Sequence, residues 1–262
     1  MEQLLSPFQY SLIYNAFSFT FATMAATTLF LWISRGQISD RYKGAITISG
    51  LVCAIAAYHY WRIGASWESA FELKEGVLAS SGYAFNDAYR YVDWLLTVPL
   101  LLIEIVLVMG LSRAETISKS TKLGLAAALM IALGYPGEIS DDNTTRAIWG
   151  ALSTVPFLYV VYELFAGLGE AINRQPEGVR DLIKKARLLT FASWGFYPIV
   201  YMAPFADIEG PTADTIIQIG YTIADLVAKA GVGILIYMIA VRKTAIEAGL
   251  DIDGAKPTVA RA

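Results

Sequence analysis

Charge is what this chain has least of. Asp, Glu, Lys and Arg make up 16% of its 262 residues, and 56% are hydrophobic. A soluble domain usually carries about a quarter charged residues, so that class is excluded. Cysteine is almost absent too. Cys53 alone rules out an internal disulfide and any CxxC or zinc framework, and with a single histidine no metal site is expected. The first residues, MEQLLSPFQYSL, lack a basic n-region, so no ordinary cleavable signal peptide is expected. The net charge of −3 says little by itself, and no nucleic-acid partner is expected. No internal repeat shows itself.

Apolar length is what the chain does have. Seven stretches approach the roughly 20 residues needed to cross a bilayer. They fall at about 8–33, 44–64, 86–110, 122–138, 145–168, 182–204 and 213–241. The expected fold is an all-α membrane protein, a seven-transmembrane helix bundle over residues 1–245, with a short tail at 246–262. A polar segment separates the second and third spans.

Charge is scarce but sorted. With the N-terminus outside, the inner loops and ends hold Arg35, Arg41, Lys43, Arg113, Lys119, Lys122, Arg174, Arg180, Lys184, Lys185, Arg187, Arg242, Lys243, Lys256 and Arg261. That is 15 of 20 basic residues. The opposite loops carry Glu68, Glu72, Glu75, Glu138, Asp141, Asp142, Asp207 and Glu209. The positive-inside rule then gives N-terminus outside and C-terminus cytoplasmic. Arg90 and Lys229 remain inside spans, with Arg62 at a span end.

Ionisable residues in a span cost about 2.5–3.5 kcal/mol each even on the lenient insertion scale, so each needs a reason. The third span, RYVDWLLTVPLLLIE, carries Arg90, Asp93 and Glu104. At 100° per residue Asp93 and Glu104 differ by about 20° after whole turns and stand about 16.5 Å apart along the axis. Thr97 lies one turn from Asp93 on that face. Carboxyls strung along an internal face suit a proton relay, while an Arg90–Asp93 ion pair is the plain structural alternative. In the last span Asp225 and Lys229 stand at i, i+4, within pairing reach. Lys229 reads equally as a structural partner for Asp225 or as an amine held for Schiff-base chemistry. His59, in AAYHYW, is either a packed core histidine or a neighbour that tunes a carboxyl.

The sixth span holds WGFYPIVY. Trp194, Tyr197 and Tyr201 fall at i, i+3, i+7, and Pro198 should kink the helix there. Such a stripe is packing, or it is the wall of a slot for a long flat ligand.

Taken together these residues resemble those of a microbial (type I) rhodopsin, of the proteorhodopsin and xanthorhodopsin kind, across all seven spans. RYVDWLLTVPLL resembles the third helix of that family and WGFYP the sixth. The resemblance implies that Lys229 carries all-trans retinal as a protonated Schiff base. It implies Asp93 as counterion and primary proton acceptor, Asp225 as second counterion, Arg90 as the outer cation, and Glu104 as cytoplasmic donor. Trp94, Thr97, Leu101, Met130, Gly134, Ser153, Trp194, Tyr197, Pro198 and Tyr201 match pocket positions. His59 matches the histidine that pairs with the acceptor aspartate in proteorhodopsins and xanthorhodopsins.

Within the family the Asp93, Thr97, Glu104 set is that of bacterial outward proton pumps, and Leu101 suggests green absorption. Gly150, in RAIWGALSTVPF, falls where xanthorhodopsin-like pumps have a glycine that opens a window for a carotenoid antenna. The other reading is a packing glycine between helices. GYPGE at 134–138 also resembles that group. Two departures stand out. Tyr201 replaces a tryptophan, and Ile217, eight residues before Asp225, replaces a glutamate of the proton-release pair, which leaves the outward exit unassigned. The implied activity is transport and not enzymatic turnover, in the bacterial inner (cell) membrane, as a multi-pass homo-oligomer (trimer or pentamer) in the lipid bilayer. A sensory photoreceptor signalling through a partner is the chief alternative, and a light-gated channel the next.

Overall fold

Seven helical rods follow one another in the computed structural model, which describes residues 5–74, 77–86, 88–140, 142–202 and 210–250. Glu75, Asp141, Asp207, Glu209, Lys256 and Arg261, used in the charge argument, lie outside them. The first rod, α1 (Pro7–Ser34), starts where Ser6 and Gln9 form a capping box around Pro7, which sits where a missing N–H costs nothing. One 3₁₀ turn leads into α2 (Asp40–Ala70). The polar segment after it folds as an antiparallel hairpin, β1 (Phe71–Lys74) and β2 (Val77–Ser80), with Phe71 opposite Ser80. The sequence reading did not foresee these strands.

The third rod is α3 (Ala88–Val108) and the fourth α4 (Arg113–Glu138), opened by a Ser112–Glu115 capping box. The fifth is α5 (Asn143–Tyr162), which passes through a π turn at Glu163–Gly167 into α6 (Gly169–Asn173). The sixth breaks in two, α7 (Glu177–Trp194) and α8 (Phe196–Tyr201), at Gly195. Pro198 supplies no N–H to the Trp194 carbonyl one turn back, so the ladder cannot run through. The seventh is α9 (Pro211–Leu226), a π turn at Val227–Gly231, and α10 (Val232–Glu247). That last helix runs into the start of the expected tail.

Among the described residues six helices are long and apolar enough to cross a membrane. The sixth rod falls short because it opens on RDLIKKAR and is interrupted at Gly195. The bundle turns apolar side chains outward: Phe19, Ile33, Leu125, Val155 and Ile199 are all more than 60% exposed. The interior keeps Arg90, Asp93, Thr97, Glu104, Asp225 and Lys229 buried. Polar inside and apolar outside is the arrangement hydrocarbon demands.

One apolar core runs through the bundle, including Met24, Leu101, Leu102, Ile105, Ile183 and Ile236. A separate cluster of Ile13, Phe17, Tyr60, Ile63 and Trp67, with Leu78 from the hairpin, plugs the end near Arg90.

Candidate functional site

The seventh rod widens into its π turn at Lys229, a local irregularity often found at functional positions. The side chain of Lys229 is 1% exposed and lies between two carboxylates. Its Nζ pairs with Asp225, one turn back, and stands 3.0 Å from Asp93 Oδ2 on α3. Asp225 is saturated with donors. Tyr197 donates its hydroxyl to Oδ1 at 2.7 Å, Trp94 its Nε1–H to Oδ1 at 3.3 Å, and Tyr60 its hydroxyl to Oδ2 at 2.8 Å. Four groups on four rods thus fix one carboxylate.

Asp93 has fewer partners. Besides Lys229, His59 Nδ1 lies 3.5 Å from its Oδ1. The same nitrogen is 3.0 Å from the Ile55 carbonyl. A carbonyl only accepts, so Nδ1 carries a hydrogen and gives it to Ile55, with Asp93 Oδ1 close by but not hydrogen-bonded.

Arg90 is 1% exposed. Its Nη2 donates to Gln218 Oε1 at 2.5 Å and its Nη1 to the Tyr60 hydroxyl at 3.4 Å. The guanidinium also lies over the rings of Phe17, Tyr60 and Tyr221, 5.4 to 5.8 Å from their centres. Tyr60 therefore links Arg90 to Asp225. Glu104, on the other side of Lys229 along α3, is isolated. It is fully buried and both its oxygens lack a hydrogen bond of normal geometry. The polar side chain beside it is Ser49, whose hydroxyl donates to Ala45 at 3.1 Å.

A cavity of about 430 Å³ opens from Lys229, within the 300–1,000 Å³ usual for small-molecule sites. Its walls hold Trp94, Leu101, Met130, Gly134, Gly150, Ser153, Trp194, Tyr197, Pro198 and Tyr201, with Asp225 beside the lysine. The ring of Trp94 packs edge-on against Tyr197 at 4.8 Å and Tyr221 at 5.3 Å. Ser153 donates to the Met130 carbonyl at 2.8 Å and pins α5 to α4. Thr97 is the exception among the expected pocket residues. It is buried outside the cavity wall because its hydroxyl turns back to the Asp93 carbonyl at 2.8 Å.

Gly150 is read best with Tyr201. A Cβ at Gly150 would sit 2.8 Å from Tyr201 Cε1, and one at Gly137 would overlap the Tyr201 hydroxyl. That ring therefore lies across both glycines, and its hydroxyl donates to the Arg146 carbonyl at 2.7 Å. The Arg146 guanidinium in turn lies over the ring at 5.2 Å.

Sequence reasoning overlooked Tyr60, Gln218, Tyr221 and Arg146. Three of these had a signal. Gln218 and Tyr221 stand seven and four residues before Asp225, two turns and one turn along the same face, and Tyr60 adjoins His59. Arg146 comes to the site only through rod packing.

The comparisons with known proteins agree with this geometry. The family model described as bacteriorhodopsin-like protein matches residues 12–243. A green-light absorbing proteorhodopsin of gamma-proteobacterium EBAC31A08 is 31% identical over 236 residues, 88% of either chain. The crystallographic structure of xanthorhodopsin, described as a light-driven ion pump with dual chromophore, is 51% identical. It superposes with a TM-score of 0.91 over 95% of this chain and 100% of that one. A thermophilic rhodopsin structure gives 44% identity and a TM-score of 0.91 over 94% and 99%. With seven rods, an inward charge set and these matches, the chain is a multi-pass membrane protein that belongs to the bacteriorhodopsin-like family of type I microbial rhodopsins.

Proposed function

We propose that the protein is a light-driven outward proton pump of the bacterial inner membrane, with retinal on Lys229. The observation that carries this reading is the amine of Lys229 in the wall of an apolar cavity, paired to two carboxylates, with a third carboxyl isolated beyond it on α3. The cavity fits such a group: among its described lining residues Lys229 alone offers an amine, and the remaining walls are mostly aromatic and aliphatic. Trp94, Trp194, Tyr197 and Leu101 would hold the chain, and Gly134, Ser153 and Met130 its far half. Retinal bound there as a protonated Schiff base supplies light absorption and an isomerisation that stores the energy.

The protein's own residues account for the proton's path. Asp93 Oδ2, 3.0 Å from Lys229 Nζ, is in reach to accept the proton from that nitrogen. Asp225 cannot serve as easily, because its oxygens are already taken by Tyr60, Tyr197 and Trp94. It acts as the fixed counter-charge. His59, whose Nδ1 is bonded to the Ile55 carbonyl, stands 3.5 Å from Asp93 and is placed to influence its carboxylate. Glu104 returns a proton to the nitrogen from the opposite side, and Arg90, held by Gln218 and Tyr60, keeps a positive charge on the outward side of Asp93. Ion pumping rather than sensing is supported by Glu104, a buried carboxyl in no ion pair among the described residues, with the Ser49 hydroxyl as its polar neighbour.

Gly150 supports a carotenoid antenna, since it lines the cavity without a side chain and the Tyr201 ring lies against it. Gly150→Trp should abolish carotenoid-sensitised action, and because even a Cβ there crowds Tyr201 of the cavity wall, the retinal band should shift but persist. The homo-oligomer, a trimer or pentamer with N-termini outside, belongs to the same reading. The deciding test is the pH of an unbuffered suspension of cells that express the chain with retinal. Acidification in light, abolished by a protonophore, is expected. A coloured, photocycling protein that leaves the pH unchanged would turn the reading to a sensor.

A further inference from the structure

One buried cation takes no part in this scheme. Lys243, on α10, is 7% exposed. Buried ammonium groups are ordinarily paired with carboxylates. The Lys243 Nζ instead donates to the carbonyls of Val108 at 3.2 Å and Met109 at 2.7 Å, and to Gln175 Oε1 at 2.8 Å. It also lies 4.7 Å from the centre of the Tyr42 ring.

Those two carbonyls end α3, the helix that carries Glu104. The last carbonyls of a helix have no partner within it, and a cation there meets the negative end of the helix dipole. Water would serve as well at a membrane surface, so burying a long flexible side chain for the purpose needs another reason. The neighbours supply it. Gln175, between α6 and α7, also donates to Met109 at 3.3 Å, and Arg41 of α2 donates to the Gly110 carbonyl at 2.5 Å. Tyr42 donates to Glu247 at 2.5 Å. Each carbonyl from 108 to 110 is thus taken by a side chain from another part of the bundle, one turn beyond the dry Glu104.

We propose that Lys243 is a positioning residue for proton uptake, clamping the end of α3 so that water stays away from Glu104 until the clamp opens. This rests on Glu104 being the carboxyl that is reprotonated from that side. When the clamp releases Val108 and Met109, their carbonyls turn to water and a path to Glu104 opens.

The test is made in the dark on the full chain in lipid nanodiscs, by infrared spectroscopy after transfer to D₂O. The carboxyl band that Glu104→Gln removes is followed as it shifts. In Lys243→Met the shift should be about tenfold faster or more, the factor that losing a hydrogen bond to a charged group implies. Amide exchange should rise at 105–110 and 171–175 and stay unchanged at 90–100. Lys243→Arg, which keeps the cation and its donors, should restore the parent rate. A parent-like shift in a folded Lys243→Met protein would overturn the clamp, as would exchange that rises evenly along the chain. If Lys243→Met does not fold, Lys243→Gln should give an intermediate rate, and a parent rate there overturns the idea. Should Glu104→Gln remove no band, the donor reading fails, and amide exchange still judges the clamp by itself.

Discussion

Asp225 and Glu104 are both buried carboxyls inside the bundle, and their surroundings could hardly differ more. Asp225 receives Lys229, Tyr60, Tyr197 and Trp94. Glu104 has no hydrogen bond of normal geometry on either oxygen. Taking charge out of water is repaid only by cations and donors in place. On the proposed reading, one site is furnished to keep a fixed charge and the other to hold a proton that can be passed on. The difference separates structure from transport more sharply than burial does, since both groups are buried to the same degree.

The largest effect should come from removing the proposed donor. Glu104→Gln keeps shape and burial but has no proton to give. General acid catalysis is worth about 10²–10⁴, so recovery after a flash should slow about a hundredfold or more. Flash absorption at neutral pH measures it, and a cycle of parent length would break the comparison. Asp225→Asn attacks the other member. It leaves Lys229 with Asp93 as its remaining carboxylate, and breaking a buried ion pair costs about 3–5 kcal/mol. A marked fall in the thermal midpoint is expected, where Glu104→Gln should leave that midpoint almost untouched.

A finer test divides the donors of Asp225. Tyr197→Phe and Tyr60→Phe each remove one hydrogen bond to a charged group, worth about 1.5–3 kcal/mol. Tyr60 also touches Arg90, so its loss should disturb the outward side as well. Chemical or thermal unfolding of both single variants and the double variant should show Tyr60→Phe as the costlier, with a non-additive double. Equal and additive effects would mean that Arg90 and Asp225 are not linked through Tyr60.

Much of this was legible in the sequence because hydrocarbon leaves few options. Long apolar runs must be helices, and a charge within one must have a purpose, so Asp93, Glu104, Asp225 and Lys229 declare themselves by position alone. Helical spacing put Asp225 beside Lys229. It could not show that Lys229 also reaches Asp93, because that depends on how the third and seventh rods pack. Thr97 shows a related limit. Its face was right, but the hydroxyl bonds back to its own helix, an option open to any threonine in a dry helix. Pro198 already marks the interruption of the sixth rod, whereas the hairpin at 71–80 escaped for another reason. A hydropathy reading sees where the chain crosses and not how it turns.

The smallest effect belongs to a third carboxyl, which serves as the control for the other two. Asp142 caps α5 outside the spans. Its Oδ2 accepts from the Thr145 N–H and the Thr145 hydroxyl, both at 2.7 Å, and these bonds hold it below the usual carboxylate range. A lowered folded value contributes stability above the unfolded carboxylate pKa of roughly 4 and loses it as pH falls through the folded value. Asp142 is exposed, however, so water replaces any donor it loses and the contribution is slight. Asp142→Asn, which still caps a helix, should leave the midpoint at neutral pH nearly unchanged and remove only the acid-side part of its pH dependence. Asp142→Ala should cost somewhat more at neutral pH, yet less than either tyrosine variant. If it costs as much, then donors alone set the worth of a carboxylate here, and the dry surroundings of Asp225 and Glu104 are not what distinguishes them.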